Sequence, residues 1–302
     1  MVPRPAGRLV MTAPSPAAQA ARLVTTALLG YVEHPQLAGG PYRVSADGVP
    51  YVPAGDGGIV LGLRLGDSAF SLDGDHPAPG ACLVHPDPAA RHALTIYSCI
   101  GNPVVVRTGR AAGARGAVVG KRGEEGRVIT AFRQRDLALL RPGDQVSVRA
   151  CGQGLRPPRF SDQVTVLNVD PALLAALPVS AENGGRVSAR VAAVLPSSVA
   201  GNGIGRPAAG WDLDLQLPGP AAGGGPDLLL GDLVAVTGLD ARHNMGYRRG
   251  WVTVGVVVHG SSPLPGHGPG ITPLLTGPQT TLSVHEYGTR HGGLTEAALG
   301  LQ

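Results

Sequence analysis

The chain has 302 residues, 43% of them hydrophobic and only 15% charged, where a typical globular domain carries roughly a quarter charged residues. Its net charge of +4 comes almost wholly from arginine, since Lys121 is the one lysine. That charge density and an aromatic content of 4% argue against a dedicated nucleic-acid protein or a base-stacking platform; with no G-x-x-x-x-G-K-[ST] loop, nucleotide hydrolysis is not expected either.

The 46 glycines and 28 prolines are spread between Val- and Leu-rich runs, a pattern of many short strands joined by turns rather than of disorder. The fold class expected is therefore mainly β with few short helices, a small SH3-like barrel joined to a larger β-sheet body, as one large domain or two closely joined units. Cys82, Cys99 and Cys151 are too few and too scattered for a disulfide framework or a C-x-x-C site. No secretory signal and no run of ~20 apolar residues is recognised, so the expectation is a cytoplasmic protein without a membrane partner.

Residues 1–20, rich in Pro, Ala and Ser, read as a flexible arm. A β-rich N-terminal part is expected over 21–180. It opens with a strand in 21–32 and continues with strands at 59–65, 94–98 and 104–107. Short helices are expected at 133–140 and at 171–177, the second starting with Pro171 behind the capping residue Asp170. A β-rich C-terminal part over 181–280 holds runs at 186–195, 211–217, 233–237 and 251–259. Gly255 inside the last run marks a bulge or a close backbone approach. Residues 281–302 read as a tail, and 218–226 as a loop.

The most specific local pattern is 104–132, VVVRTGRAAGARGAVVGKRGEEGRVITAF. It reads as a KOW-like element: three strands around a glycine-rich turn system, in which Gly109, Gly113 and Gly116 serve tight, SH3-like barrel turns. Arg107, Arg110, Arg115, Lys121, Arg122 and Arg127 are expected around its rim. They are either an RNA or phosphate contact or the decoration of a scaffold.

Taken with Ser98–Asn102 (SCIGN), Cys151–Leu155 (CGQGL), Gly201–Gly205 (GNGIG), Asp212–Gln216 (DLDLQ) and Gly266–Thr272 (GHGPGIT), this element makes the chain resemble the family of domain of unknown function 4438, from about Leu23 to about Gly277. The resemblance implies the family's β-rich fold and carries no activity. The chain departs from the family pattern after Lys121, where Arg122-Gly123-Glu124 stands in place of His-Gly-Gly, and in the segment Asp240–Arg248.

The side chains that suggest chemistry lie in the loops and short strands. Asp212 and Asp214 are two apart, so on a strand their carboxylates share a face with Gln216. They serve either as surface acids or as a polarising or divalent-cation pair. His267, in a loop too glycine-rich to be packing-driven, suits proton transfer at neutral pH or metal ligation. His259 is its candidate partner. Gln216, His76 beside Asp75, Asn102, and the loop residues His243 and Arg248 are candidate substrate contacts, with Arg248 as an anion clamp. Cys99 reads as a buried small hydrophobe rather than a nucleophile.

The leading expectation is an enzyme without an organic cofactor, acting on a small polar molecule by acid–base chemistry as a hydrolase, lyase, cyclase or isomerase. His267, Asp212 and Asp214 would be catalytic, or the ligands of a divalent metal. The alternatives are an RNA-binding module on the KOW-like rim and an oligomeric scaffold; a homo-oligomer is expected in either case.

Overall fold

The computed structural model describes residues 23–37, 40–70, 74–219, 225–287 and 293–302. The predicted arm at 1–20 and part of the 218–226 loop lie outside them. In the first half the strands are β1 (Thr26–Val32), β2 (Arg43–Val44), β3 (Pro50–Tyr51), β4 (Ile59–Val60), β5 (Gly80–Val84), β6 (Pro103–Val106), β7 (Arg115–Arg122), β8 (Arg127–Phe132) and β9 (Gln145–Ala150). Helix α1 (Pro88–Tyr97) follows β5, and the single turn α2 (Gln134–Leu137) follows β8. The second half contains β10 (Thr165–Val166), α3 (Pro171–Ala176), β11 (Val179–Ala181), β12 (Val187–Val191), β13 (Ala193–Pro196), β14 (Leu213–Asp214), β15 (Leu233–Asp240), β16 (Gly246–His259), β17 (Gly270–Pro278) and β18 (Leu282–Glu286).

Strands β1, β9, β6, β7, β8 and β5 are hydrogen-bonded in that order, and β5 returns to β1. Every pairing is antiparallel, so six strands close into a barrel, which removes the open edges that invite aggregation. The 104–132 segment supplies β6, β7 and β8, half of this barrel rather than a barrel of its own. Inside lie Leu83, Val104, Val106, Val118, Val128, Phe132, Val146 and Val148, with Leu94 from α1 packed among them.

A second, six-stranded sheet runs β10-β17-β16-β15-β13, with β14 on β17. Alternate residues of β15 enter two different cores: Leu233 and Ala235 face one, Val234 and Val236 the other. Burial on both faces explains the near-continuous apolar run of β16. Register slips between Val254 and Gly255, the bulge expected there. The barrel docks on this sheet through the outward residues of β7 and β8, Val119 and Ile129, which share a core with Val252, Val254, Val256 and Val258.

Lys121 bolts the two bodies together. Its fully buried ammonium donates to Asn168 Oδ1 at 2.9 Å, Ala209 O at 2.6 Å and Ile96 O at 3.3 Å. Three oxygens match the three protons of the charged amine. Burial pushes its pKa down to about 8.

Several sequence expectations change here. Residues 94–97 belong to helix α1, with Ser98 as its C-cap, and not to a strand: Asp87 caps Ala90 N at 2.7 Å and Pro88 opens the first turn, a start signal that the β-branched Thr95 and Ile96 obscured. The helix at Pro171 forms with the Asp170 cap as expected. The runs at 59–65 and 211–217 shorten to β4 and β14. The stretch read as a tail contains β18, which pairs parallel with β12. Of the six cations placed on the KOW-like rim, Lys121, Arg122 and Arg127 are buried and only Arg107, Arg110 and Arg115 are exposed. Among the described residues no helix is long and apolar enough to cross a membrane.

Candidate functional site

Five of the side chains singled out in the sequence meet where the barrel rests on the second sheet. β14 is pinned between Gly270–Ile271 of β17 on one side and Asn202 on the other, and this sends Asp214 inward beside Asp212. The end of β16 delivers His259, whose Nε2 stands 2.8 Å from Asp212 Oδ2 and 3.4 Å from Asp214 Oδ1. The turn between β16 and β17 delivers His267, with Nδ1 2.9 Å from Asp214 Oδ2. The loop before β5 delivers His76, whose Nε2 lies 3.0 Å from His267 Nδ1 and 3.8 Å from Asp214 Oδ2.

The backbone helps to set this geometry. His76 has φ +51°, a left-handed conformation uncommon outside glycine, which His, Asn and Asp adopt more readily than other residues. Gly270 is required by contact: a Cβ there would stand 1.9 Å from His259 Nε2.

Around this cluster lies a shell of buried charge. Asp75 touches His76 Nδ1 at 2.6 Å, off the hydrogen-bond axis, and accepts from Ser262 Oγ at 2.7 Å, Tyr51 OH at 2.9 Å and Arg43. Burial opposes ionisation of Asp75, but His76, Ser262 and Arg43 overcome it and hold the carboxyl far below its usual range. Asp56 pairs with Arg122, with Arg127 at 2.7 Å and with Arg43 at 3.2 Å, while Arg127 also reaches Glu33 at 2.7 Å. Arg122 is thus spent on a buried ion pair.

Within the cluster, burial alone would depress the His76 pKa, yet its bonds to Asp214 and Asp75 raise it to about 9. Asp214, though buried, is held well below the normal carboxylate range by His267, His76 and His259. Two sets of donor atoms are each close enough to hold one cation: His76, His267 and Asp214, and Asp212, His259 and Asp214. A cleft of about 380 Å³, lined by Arg91, His92, Gly123, Glu124, Glu125 and Trp211 among others, abuts the Asp212 end. Gly123 N donates to Asp212 Oδ1 at 3.0 Å, and Trp211 precedes Asp212 in the chain.

The other candidates lie elsewhere. Asn102 is a buried structural bracket, accepting from Cys99 N and donating to Cys151 O and Asp170. Gln216 is exposed and bonded to Ala200 O. His243 is on the surface. Arg248 pairs with Asp240 at 3.2 Å and stacks on Trp251, half exposed. Cys99 is buried, and burial pushes its thiol up to about 11, as suits a small hydrophobe. Sequence reasoning missed Glu33, Arg43, Tyr51, Asp56 and Ser262. Only Arg122 and Arg127 gave a signal, as charges inside otherwise apolar strands.

Fold and site together define a closed β-barrel joined to a second sheet, with a His/Asp cluster at the seam. The family models for "Domain of unknown function (DUF4438), N-terminal" and its C-terminal counterpart match residues 42–175 and 176–289; the chain belongs to this family. It is similar to the crystal structure of TM1086, at 35% identity and TM-score 0.86, over 91% of this chain and 96% of that one. A comparison with curated proteins gave no match. The His/Asp cluster draws on both matched regions, His76 from the first and the other four residues from the second.

Proposed function

We propose that the chain is an enzyme acting on a small polar molecule by acid–base chemistry assisted by a divalent cation. The observation that carries this reading is the convergence of His76, Asp212, Asp214, His259 and His267, contributed by four separate segments, with no Arg or Lys ion pair to either aspartate among the described residues. Buried carboxylates are costly unless something positive joins them, and the groups beside these two are histidines, which can share them with a cation. His267 had two expected roles, proton carrier and metal ligand. Its Nδ1 distances to Asp214 and His76 favour the second. A bound cation supplies water ionised near neutrality. The chain's part is to orient the donors: Asp75 turns His76, Gly260 O turns His259, and Gly123 N–H fixes Asp212.

The test is incubation of metal-loaded protein with a mixture of small polar metabolites, followed by mass spectrometry. One compound should be depleted by the wild type and spared by Asp214→Ala and His267→Ala. A compound turned over equally well by Asp214→Ala would sink the reading.

One observation favours the RNA alternative enough to state it. A cleft of about 580 Å³ on the barrel is lined by Arg110, Arg115, Arg133 and Arg135 against one acid, Asp136, and shares no lining residue with the His/Asp cluster. RNA held there would bind in a salt-dependent way that replacing Arg110, Arg115 and Arg133 abolishes; no binding at low salt removes this alternative.

A further inference from the structure

We infer that the cluster holds two divalent cations bridged by the carboxylate of Asp214. The inference rests on the metal-assisted reading above and deepens it. One ion takes His76 Nε2, His267 Nδ1 and Asp214 Oδ2; the other takes Asp212 Oδ2, His259 Nε2 and Asp214 Oδ1.

The donor spacing fits. Ligand atoms about 2.0–2.1 Å from a tetrahedral metal stand roughly 3.4 Å apart. The first set is spaced 2.9, 3.0 and 3.8 Å. In the second, His259 Nε2 is 2.8 and 3.4 Å from its two oxygens. Asp214 turns one oxygen into each set, so neither ion has a full complement without it.

Two independent features point to positive charge at the second position. Asp214 Oδ1 is buried and has no hydrogen-bond partner, an arrangement that costs free energy until something binds the oxygen. His259 Nδ1 faces Gly260 O at 2.9 Å, which turns Nε2 toward Asp212 Oδ2 and Asp214 Oδ1 at 2.8 and 3.4 Å. A cation between these three atoms would take all of them as ligands.

The surrounding shell resembles what metal-binding histidines and carboxylates require. His259 Nδ1 is bonded to Gly260 O and Asp212 Oδ1 to Gly123 N–H, while His76 Nδ1 stands 2.6 Å from Asp75, off the hydrogen-bond axis. Three imidazoles with two carboxylates suit zinc, manganese, iron or nickel better than calcium or magnesium. Two divalent ions bring four positive charges against the two of Asp212 and Asp214. The pair therefore favours a substrate that presents an anionic oxygen to both ions, as a phosphoryl or carboxyl group does.

The experiment strips the full-length protein with chelator, titrates Mn²⁺, and counts bound metal by mass spectrometry while recording electron paramagnetic resonance. The wild type should bind two Mn²⁺ per chain and show an exchange-coupled multiline signal. His267→Ala and Asp212→Asn, on opposite sides of the bridge, should each fall to one ion with an uncoupled six-line signal, with circular dichroism verifying that both variants fold. A wild type that saturates at one ion, or binds two without coupling, overturns the bridged pair while leaving a single-metal enzyme standing. A wild type that binds none removes both.

Discussion

The inside of the barrel and the seam beneath it are built from neighbouring residues of the same strands, yet they differ completely. Val118 and Val128 point into an apolar interior, whereas Lys121, Arg122 and Arg127 of the same strands β7 and β8 enter the seam. There Glu33, Asp56, Asp75 and the His/Asp cluster crowd together. An interior of this kind stabilises through burial alone. A seam of ion pairs does not, because desolvation offsets most of the attraction. What it provides is fixed direction: most cluster atoms are held by a partner that is held in turn, and Asp214 Oδ1 is left without one. The difference teaches that this charge-poor chain gathers its buried charge in one seam, where it sets the direction of side chains more than it adds stability.

The comparison predicts that equal losses of stability will have unequal effects on activity. Asp214→Ala should have the largest effect, reducing turnover of whatever compound the metabolite screen identifies by about 10²–10⁴-fold, with bound metal lost in parallel. Next comes Asp56→Asn, which leaves Arg122 and Arg127 short of their shared carboxylate and should cost about 3–5 kcal/mol, read by denaturant unfolding. Leu83→Ala, inside the barrel, should cost about 2–5 kcal/mol. Activity of the folded fraction should survive Leu83→Ala and fall with Asp56→Asn. If both variants keep full activity per folded molecule, the seam is structural and the contrast fails.

Lys121 gives the comparison a pH signature. Its folded pKa, about 8, is below the unfolded value near 10.5. Between these values the unfolded chain holds the extra proton, so stability rises with pH, by up to about 3 kcal/mol. Below pH 8 both states are protonated and the full cost of burying the charge is present. Cys82, pushed up to about 12 by burial, works in the opposite direction from about pH 9 upward, so the two windows overlap. The clean measurement is therefore the stability of wild type minus that of Lys121→Met from pH 7 to 11. A flat difference would mean that the ammonium is not desolvated as its three oxygen partners imply.

What the sequence made legible follows from how local each signal is. The mainly β class, the Gly255 bulge, the Asp170 cap and the length of β16 are written in neighbouring residues. Strand-length hydrophobic runs cannot show that β5 returns to β1, so barrel closure was hidden and 104–132 looked self-contained. In the site, Asp212 and Asp214 advertised themselves by spacing and His267 by its glycines. His76 joined them across 191 positions, a distance that no local pattern spans. Asp56 and Arg43 look like turn and strand-end residues in any sequence reading; only the fold gives them partners.

Arg248 tests the comparison from outside, and its expected effect is the smallest. As an anion clamp it would have to face the cluster. Instead it lies on β16 next to Asp240 and, with Arg242, on the ring of Trp251, their guanidinium carbons 4.4 and 4.1 Å from its centroid. Exposed ion pairs and stacked arginines are worth at most about 1 kcal/mol, and Arg242 keeps both contacts when Arg248 is lost. Arg248→Ala should therefore shift the melting temperature by no more than a few degrees and leave kcat/KM unchanged. A tenfold fall in kcat/KM would move the substrate to the β16 surface and take from the buried seam the catalytic role proposed for it.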